Sequence, residues 1–229
     1  MKKNFIYLWV FIVTVGLLNS CDDYGDEKEN LMSTWYLNQT NAMHITWESS
    51  ENISINGISM PVAGVAELMA EYGNGALQGI LKSITLKKDD NVEVDYLNES
   101  GGLSTDIYGK YKVLSKKDLL YYPDIDKMLK DVDGIDNATL NEMKELSKLG
   151  IPFKYSLGGS IGGSTLNEVY FYLDTKTIKA MKILFTALES SIKGDTAKDL
   201  VLKAVLKAMP AALDKTDKIE IGLGFNKKN

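Results

Sequence analysis

The chain has 229 residues, 45% of them hydrophobic and 25% charged, with a formal net charge of −5. That composition belongs to a folded globular protein, with material for one large domain or two small ones. All 26 basic residues are lysine, so the chain lacks the usual bidentate reader of phosphate and guanine, which together with net acidity argues against nucleic-acid binding.

The N-terminus reads as a leader. Lys2 and Lys3 precede an apolar run from Phe5 to Leu18, followed by Asn19, Ser20 and Cys21, the single cysteine. The run is shorter than the roughly 20 residues a membrane-spanning helix needs, and it ends at a cleavage-type site, as a signal peptide does. The layout Leu17-Leu18-Asn19-Ser20-Cys21 is that of a bacterial lipoprotein signal, which makes residues 1–20 the signal peptide and Cys21 the lipid attachment site. A lone cysteine in an exported chain has no disulfide partner, and lipidation gives it a use. Residues 21–31 are expected to form an acidic flexible tether, because Asp22 to Asn30 offers almost nothing to bury. Fully stretched, that tether reaches about 30 Å.

From Thr34 the pattern has period two. Trp35 and Leu37, then Met43, Ile45 and Trp47, then Ile53 and Ile55 alternate with polar residues, as half-buried antiparallel strands do. The breaks at Thr40-Asn41 and Ser49-Ser50 suit hairpin turns. Pro61 opens a helix through Val62, Val65, Ala66, Leu68, Met69 and Tyr72, which Gly73-Asn74-Gly75 is expected to break or kink before Leu77. Strands return at Ile84–Leu86 and Val92–Tyr96. After a loop over 98–105, Ile107, Gly109, Tyr111 and Val113 are expected to share one strand face. A further strand covers Leu119–Tyr122.

Residues 124–149 read as two short helices ended by Gly150. Strands Ile151–Leu157 and Leu166–Leu173 flank the glycine-rich 158–164 stretch. In the second of these, Val169, Phe171 and Leu173 face the core, with Tyr170 and Tyr172 on the other side. Helices are expected at about 176–192 and 196–209, the second stopped by Pro210, and a terminal strand carries Ile219, Ile221, Leu223 and Phe225. The pattern is an α+β domain over 32–229, built on a large antiparallel sheet that curls or closes into a barrel. The last strand is a candidate to pair with the first.

Chemistry-bearing residues are sparse. His44, the single histidine, falls on the polar side of its strand with no second histidine or free cysteine to build a metal site or a nucleophile–base pair. Asp131, Asp133 and Glu142 fall at positions 1, 3 and 12 of a calcium loop, but Ile135 at position 5 and Asp136 in place of the glycine break the pattern, and helix capping and turn formation account for the same aspartates. The glycine-rich stretch lacks the lysine ending of a phosphate loop. Asp89-Asp90 falls in a turn. Trp35, Trp47, Tyr108, Tyr121, Tyr122, Tyr170 and Tyr172 lie on strands, where packing explains them better than ligand stacking. No catalytic, cofactor or metal residue is assigned, and Cys21 stands as the one site residue.

Several stretches together point to a family: Ser20-Cys21-Asp22-Asp23, Ser33-Thr34-Trp35-Tyr36-Leu37, Ser83-Ile84-Thr85-Leu86, Gly109-Lys110-Tyr111-Lys112-Val113, Tyr122-Pro123-Asp124-Ile125-Asp126 and Leu149-Gly150-Ile151-Pro152-Phe153-Lys154-Tyr155. The set resembles the lipocalin-like (calycin-like) outer-membrane lipoproteins of the Bacteroidetes. Where a lipocalin's first strand carries Gly-x-Trp, Ser33 stands here in place of the glycine. The resemblance implies a barrel-like domain with helical insertions, anchored to the outer membrane, with acidic residues after the lipidated cysteine that favour surface display. The expectation is a non-enzymatic binding module, without cofactor, for a small apolar or glycan ligand or an envelope protein. A structural accessory without a ligand cavity is the alternative, and a carboxylate-based hydrolase a third.

Overall fold

The computed structural model describes residues 25–227 apart from 51, 56, 99, 130–134, 159–166 and, between 183 and 195, all but 185, 186, 189 and 192. The leader 1–20, Cys21 and residues 22–24 lie outside the described residues, as do most of the glycine-rich stretch and Asp131 to Gly134.

The second half of the expected tether is a helix, α1 (Gly25–Leu31). Sequence composition missed it because its anchor is a single side chain at its end, Leu31, which is completely buried. The Trp35 indole N–H donates to the Leu31 carbonyl at 2.8 Å, and Lys28 pairs with Asp90 at 2.6 Å.

β1 (Thr34–Leu37) pairs antiparallel with β5 (Leu81–Leu86). From there β6 (Asn91–Leu97), β7 (Leu103–Val113), β8 (Asp118–Pro123), β9 (Ile151–Leu157), β10 (Glu168–Leu173) and β11 (Lys218–Lys227) follow as a meander, and β11 returns to β1. The result is a closed eight-stranded antiparallel barrel with inserted helices, a calycin-like topology. Closure removes the sheet edges that an open sheet would expose. The alternation seen in the sequence maps onto the wall, since Val92, Val94, Tyr96, Val169, Phe171, Leu173, Ile219, Ile221, Leu223 and Phe225 are all buried.

β2 (Met43–Glu48) is not the hairpin partner of β1. Both lie along β11, with Leu37 opposite Phe225 and Met43 opposite Leu223. The Asn38–Ala42 excursion bulges out opposite Gly224, whose carbonyl accepts from Asn38 N–H and whose N–H donates to Ala42. Ten residues of β11 are long enough to hold both segments end to end. β2 therefore leaves the barrel wall and is covered by a helix, α2 (Val62–Gln78), with a small hairpin of β3 (Ile53–Ile55) and β4 (Ile58–Met60) between them.

α2 runs without a break through Gly73-Asn74-Gly75. The expected interruption fails because Gly73 is where β2 docks, and a Cβ there would collide with Met43 Sδ. Contact with the strand offsets the roughly 0.5–1 kcal/mol that glycine costs in a helix interior.

β7 starts at Leu103, inside the expected loop, and its inward face slips at Tyr108. That residue is an extra one between the pairs Val92–Gly109 and Glu93–Ile107, which turns Ile107 out to 41% exposure and Tyr108 in. Gly109 has φ +152 and any Cβ would strike the Tyr122 carbonyl, so only glycine fits the bulge. The Tyr121 hydroxyl locks it by donating to Tyr108 O at 2.7 Å.

α3 (Ile125–Met128) and α4 (Asn137–Leu149) match the two short helices, with Gly150 at the end. α5 (Thr175–Ala180) is followed by α6 (Ala197–Asp214). Pro210 does not stop α6 but sits inside it, four residues before its end. All these helices connect strands at the same barrel end, opposite α1. Among the described residues no helix is long and apolar enough to cross a membrane.

Candidate functional site

Among the described residues, two spaces are candidates to take a guest. The first is the barrel lumen, lined by Ile84, Val94, Tyr111, Tyr121, Phe153 and Phe225 among others, with a volume of about 90 Å³. Its two tyrosine hydroxyls are already used, Tyr111 donating to Lys87 O at 2.9 Å and Tyr121 to Tyr108 O. Burial pushes both phenols above the usual tyrosine range. The lumen is therefore dry and small, below the ~150 Å³ of a cavity that takes benzene.

The second space is a cleft of about 490 Å³ between α2 and α6, within the roughly 300–1,000 Å³ of small-molecule sites. α2 contributes Leu68, Met69, Glu71, Tyr72, Gly75 and Ala76, and α6 contributes Ala197, Val201, Leu202 and Val205. The two helices reach this arrangement by different local rules. α2 presents Met69 and Leu77 inward to β2 and leaves Leu68, Glu71 and Gly75 on its open flank. α6 starts with a capping box in which the Thr196 side chain accepts from Asp199 N–H and the Asp199 side chain from Thr196 N–H, satisfying donors that a helix start otherwise leaves unpaired.

A hydrogen bond joins the two walls: the Tyr72 hydroxyl donates to Asp199 Oδ1 at 2.8 Å. Burial and then this bond raise the Tyr72 phenol above its usual range. Partial burial works against the Asp199 charge, but the hydrogen bonds from Tyr72 and Thr196 outweigh it and hold the carboxyl below the usual range. Small residues at Gly75, Ala76 and Ala197 keep the cleft open. A Cβ added at Gly75 would meet nothing within 4 Å. Leu68 and Val201 stand 37% and 44% exposed at its lips.

The sequence-derived candidates are scattered. Half-buried His44 lies outside the barrel, with Nε2 3.1 Å from Asn41 O and its ring edge-on to Tyr170. Tyr170 and Tyr172 do point away from the lumen, stacked at 5.3 Å. Tyr170 is nonetheless 8% exposed, because its ring lies over Gly222, where a Cβ would strike it. Trp35, Trp47, Tyr108 and Tyr121 are buried packing residues. Asp136 caps α4, accepting from the Thr139 N–H and hydroxyl, both at 2.9 Å. Asp131 and Asp133 lie outside the described residues. Asp89 and Asp90 form the β5–β6 turn, Asp89 accepting from the Asn91 side chain. Among the described residues no group of three or more His, Cys, Asp or Glu is gathered to hold a metal ion.

Sequence reading missed the cleft. Tyr72 and Asp199 stand 127 positions apart, and the exposed Leu68, Leu200 and Val201 were the one signal available, as apolar residues beyond each helix's buried stripe. Compared with protein-family models, with curated proteins and with solved structures, the chain finds no match.

Proposed function

We propose that this protein is a lipid-anchored binding module of the bacterial envelope, of the kind found among the calycin-like lipoproteins of the Bacteroidetes, and that its ligand is a small, mostly apolar molecule held between α2 and α6. It is non-enzymatic and uses no cofactor. The observation that carries this reading is the cleft itself: apolar walls, ligand-sized volume and a few polar groups at one rim are the usual make-up of a small-molecule site. The lumen supports it less, being too small for such a guest. On this reading Cys21 is acylated and holds the protein at the outer membrane. Only residues 22–24 separate it from α1, so the first residue of that helix, Gly25, lies within about 14 Å of the anchor.

The test uses the full chain with Cys21→Ala, purified without detergent, beside the same chain carrying Gly75→Leu. The leucine enters open space and narrows the cleft. Native mass spectrometry is expected to find a small-molecule adduct on the first protein and none on the second. An adduct that survives Gly75→Leu puts the ligand elsewhere and overturns the assignment. The anchor is tested separately, by acyl-chain labelling and membrane fractionation of the wild type against Cys21→Ala. Membrane attachment that persists in the variant defeats that part.

The alternative, an assembly accessory without a small ligand, is favoured by the exposed Leu200 beside the cleft, 57% accessible. It predicts a stoichiometric polypeptide rather than a small adduct in the same experiment.

A further inference from the structure

The outer wall of the barrel carries a feature that the cleft does not use. Residues of β2, β11, β10 and β9 stand side by side there at one level: His44 beside Gly222, Gly222 beside Tyr172, and Tyr172 beside Lys154. The gap at Gly222 is filled from the next level by the Tyr170 ring, since a Cβ on Gly222 would lie 2.5 Å from its Cζ. That ring stacks on Tyr172, with centroids 5.3 Å apart and planes 18° from parallel. It meets His44 at a right angle, 5.6 Å away. Two phenols and an imidazole thus make one aromatic platform, of which Tyr172 and His44 are half-buried and keep surface toward solvent.

Packing accounts for the rings but not for their hydroxyls, since phenylalanine would pack as well. Tyr170 is only 8% exposed, a depth at which a phenol hydroxyl ordinarily finds a partner. Yet among the described residues neither the Tyr170 nor the Tyr172 hydroxyl has a hydrogen-bond partner. Burial raises both phenols above the usual tyrosine range and Glu220 adds to the rise, so each stays protonated and offers a donor and two lone pairs. The charges nearby are already matched: Glu220 lies 3.5 Å from Lys218, and Lys154 pairs with Asp118. A charged guest finds no unpaired counter-charge in them. What suits the platform is an uncharged molecule with an apolar face for the rings and hydroxyls around its edge for the phenols, Glu220 and the exposed Thr46 opposite it. A pyranose chair has that make-up: its faces present C–H bonds, whose positive ends meet the negative face of an aromatic ring, and its hydroxyls lie at the rim. We propose that the Tyr170–Tyr172 platform binds a neutral saccharide, with one pyranose unit stacked on Tyr172 and hydrogen-bonded to the two phenol hydroxyls. This site does not depend on the α2–α6 cleft.

The experiment titrates the full Cys21→Ala chain calorimetrically with neutral tetrasaccharides of β-1,4-linked glucose, N-acetylglucosamine or mannose, with tetragalacturonate, and with a proline-rich decapeptide. At least one neutral sugar is expected to bind with a millimolar or lower dissociation constant, and tetragalacturonate at least about tenfold more weakly. Tyr172→Ala is expected to abolish binding. Tyr172→Phe and Tyr170→Phe, which keep the rings, are each expected to weaken it several-fold while the thermal midpoint stays unchanged. Gly75→Leu is expected to leave it as it was, which separates this site from the cleft. The proposal is overturned if no neutral sugar binds, if binding survives Tyr172→Ala, or if both phenylalanine variants bind as tightly as the parent chain. Equal binding of tetragalacturonate overturns the neutral guest, and loss of sugar binding with Gly75→Leu moves the sugar to the cleft. Binding of the peptide in place of sugar overturns the proposal in favour of a protein partner.

Discussion

The side-chain amide of Asn74 brackets the backbone of Met43: its oxygen accepts from the Met43 N–H at 2.8 Å, and its nitrogen donates to the Met43 carbonyl at 3.2 Å. Met43 faces β11 through its neighbours Ala42 and His44, so its own backbone groups point to the unpaired side of β2. A helix side chain here supplies the two hydrogen bonds that another strand would supply. That contact fixes α2 to the sheet and, through α2, the floor of the cleft.

Asn74→Ala is expected to lower unfolding free energy by about 1–3 kcal/mol, the usual cost of leaving partly buried backbone groups without a partner. Urea denaturation followed by tryptophan fluorescence measures it. A variant as stable as the wild type would show that water replaces the amide fully.

Gly73 and Gly75 sit two positions apart in one helix and are expected to answer the same substitution with opposite sign. Gly75→Ala meets open space and should raise stability by about 0.5–1 kcal/mol through helix propensity. Gly73→Ala pushes a methyl into the buried Met43 thioether and should cost about 1–3 kcal/mol through overpacking. Thermal midpoints of the pair decide the matter, and matching signs would contradict the docking described above.

Trp35→Phe removes the indole donor to Leu31 O and leaves α1 held by the buried Leu31 side chain and the Lys28–Asp90 pair. The expected cost is about 1–3 kcal/mol for the unsatisfied carbonyl and lost packing. Hydrogen exchange should speed up in 25–31 more than in β1 itself. Equal acceleration across the barrel would mean that Trp35 supports the core rather than the helix.

Acid is expected to unfold the protein in part through Asp106 and Asp118. Burial raises both carboxyls, but Lys127 and Tyr96 beside Asp106, and Lys154 and Ser115 beside Asp118, outweigh it and leave each below the usual range. A carboxyl lowered in the folded state contributes stability that is present above its unfolded value of about 3.9 and is lost as pH falls through the lower folded value. Asp106→Asn should therefore flatten the stability profile below about pH 4 and leave its shape at pH 6–8 alone. A variant with an unchanged acid limb would remove Asp106 from this role.

Much of the barrel wall is legible in the amino-acid pattern, because alternation states which face of a strand is wet. Val92-Val94-Tyr96 and the run from Ile219 to Phe225 need no further information. Ile107 defeats the same rule, since the bulge at Tyr108 shifts the phase and its signal, Gly109, looks like any other glycine. The stretch 25–31 resembles a tether because its anchoring depends on one leucine at its edge. The candidate site is almost invisible. Tyr72 and Asp199 have no local pattern in common, and the residues that make the cleft roomy, Gly75, Ala76 and Ala197, are small rather than chemically distinctive.

The amino-acid sequence by itself determined the α+β class, the period of most strands and helices, and the absence of arginine. These follow from local rules: side-chain periodicity, capping and turn residues, and composition. Tertiary structure alone decided that β1 and β2 share β11, that the meander closes into an eight-stranded barrel, that Gly73 continues a helix it would ordinarily weaken, and that α2 and α6 stand apart with a largely apolar cleft between them. Each of these depends on which segments meet across long stretches of chain. A glycine's local cost or a leucine's exposure takes its meaning from a neighbour the sequence does not name.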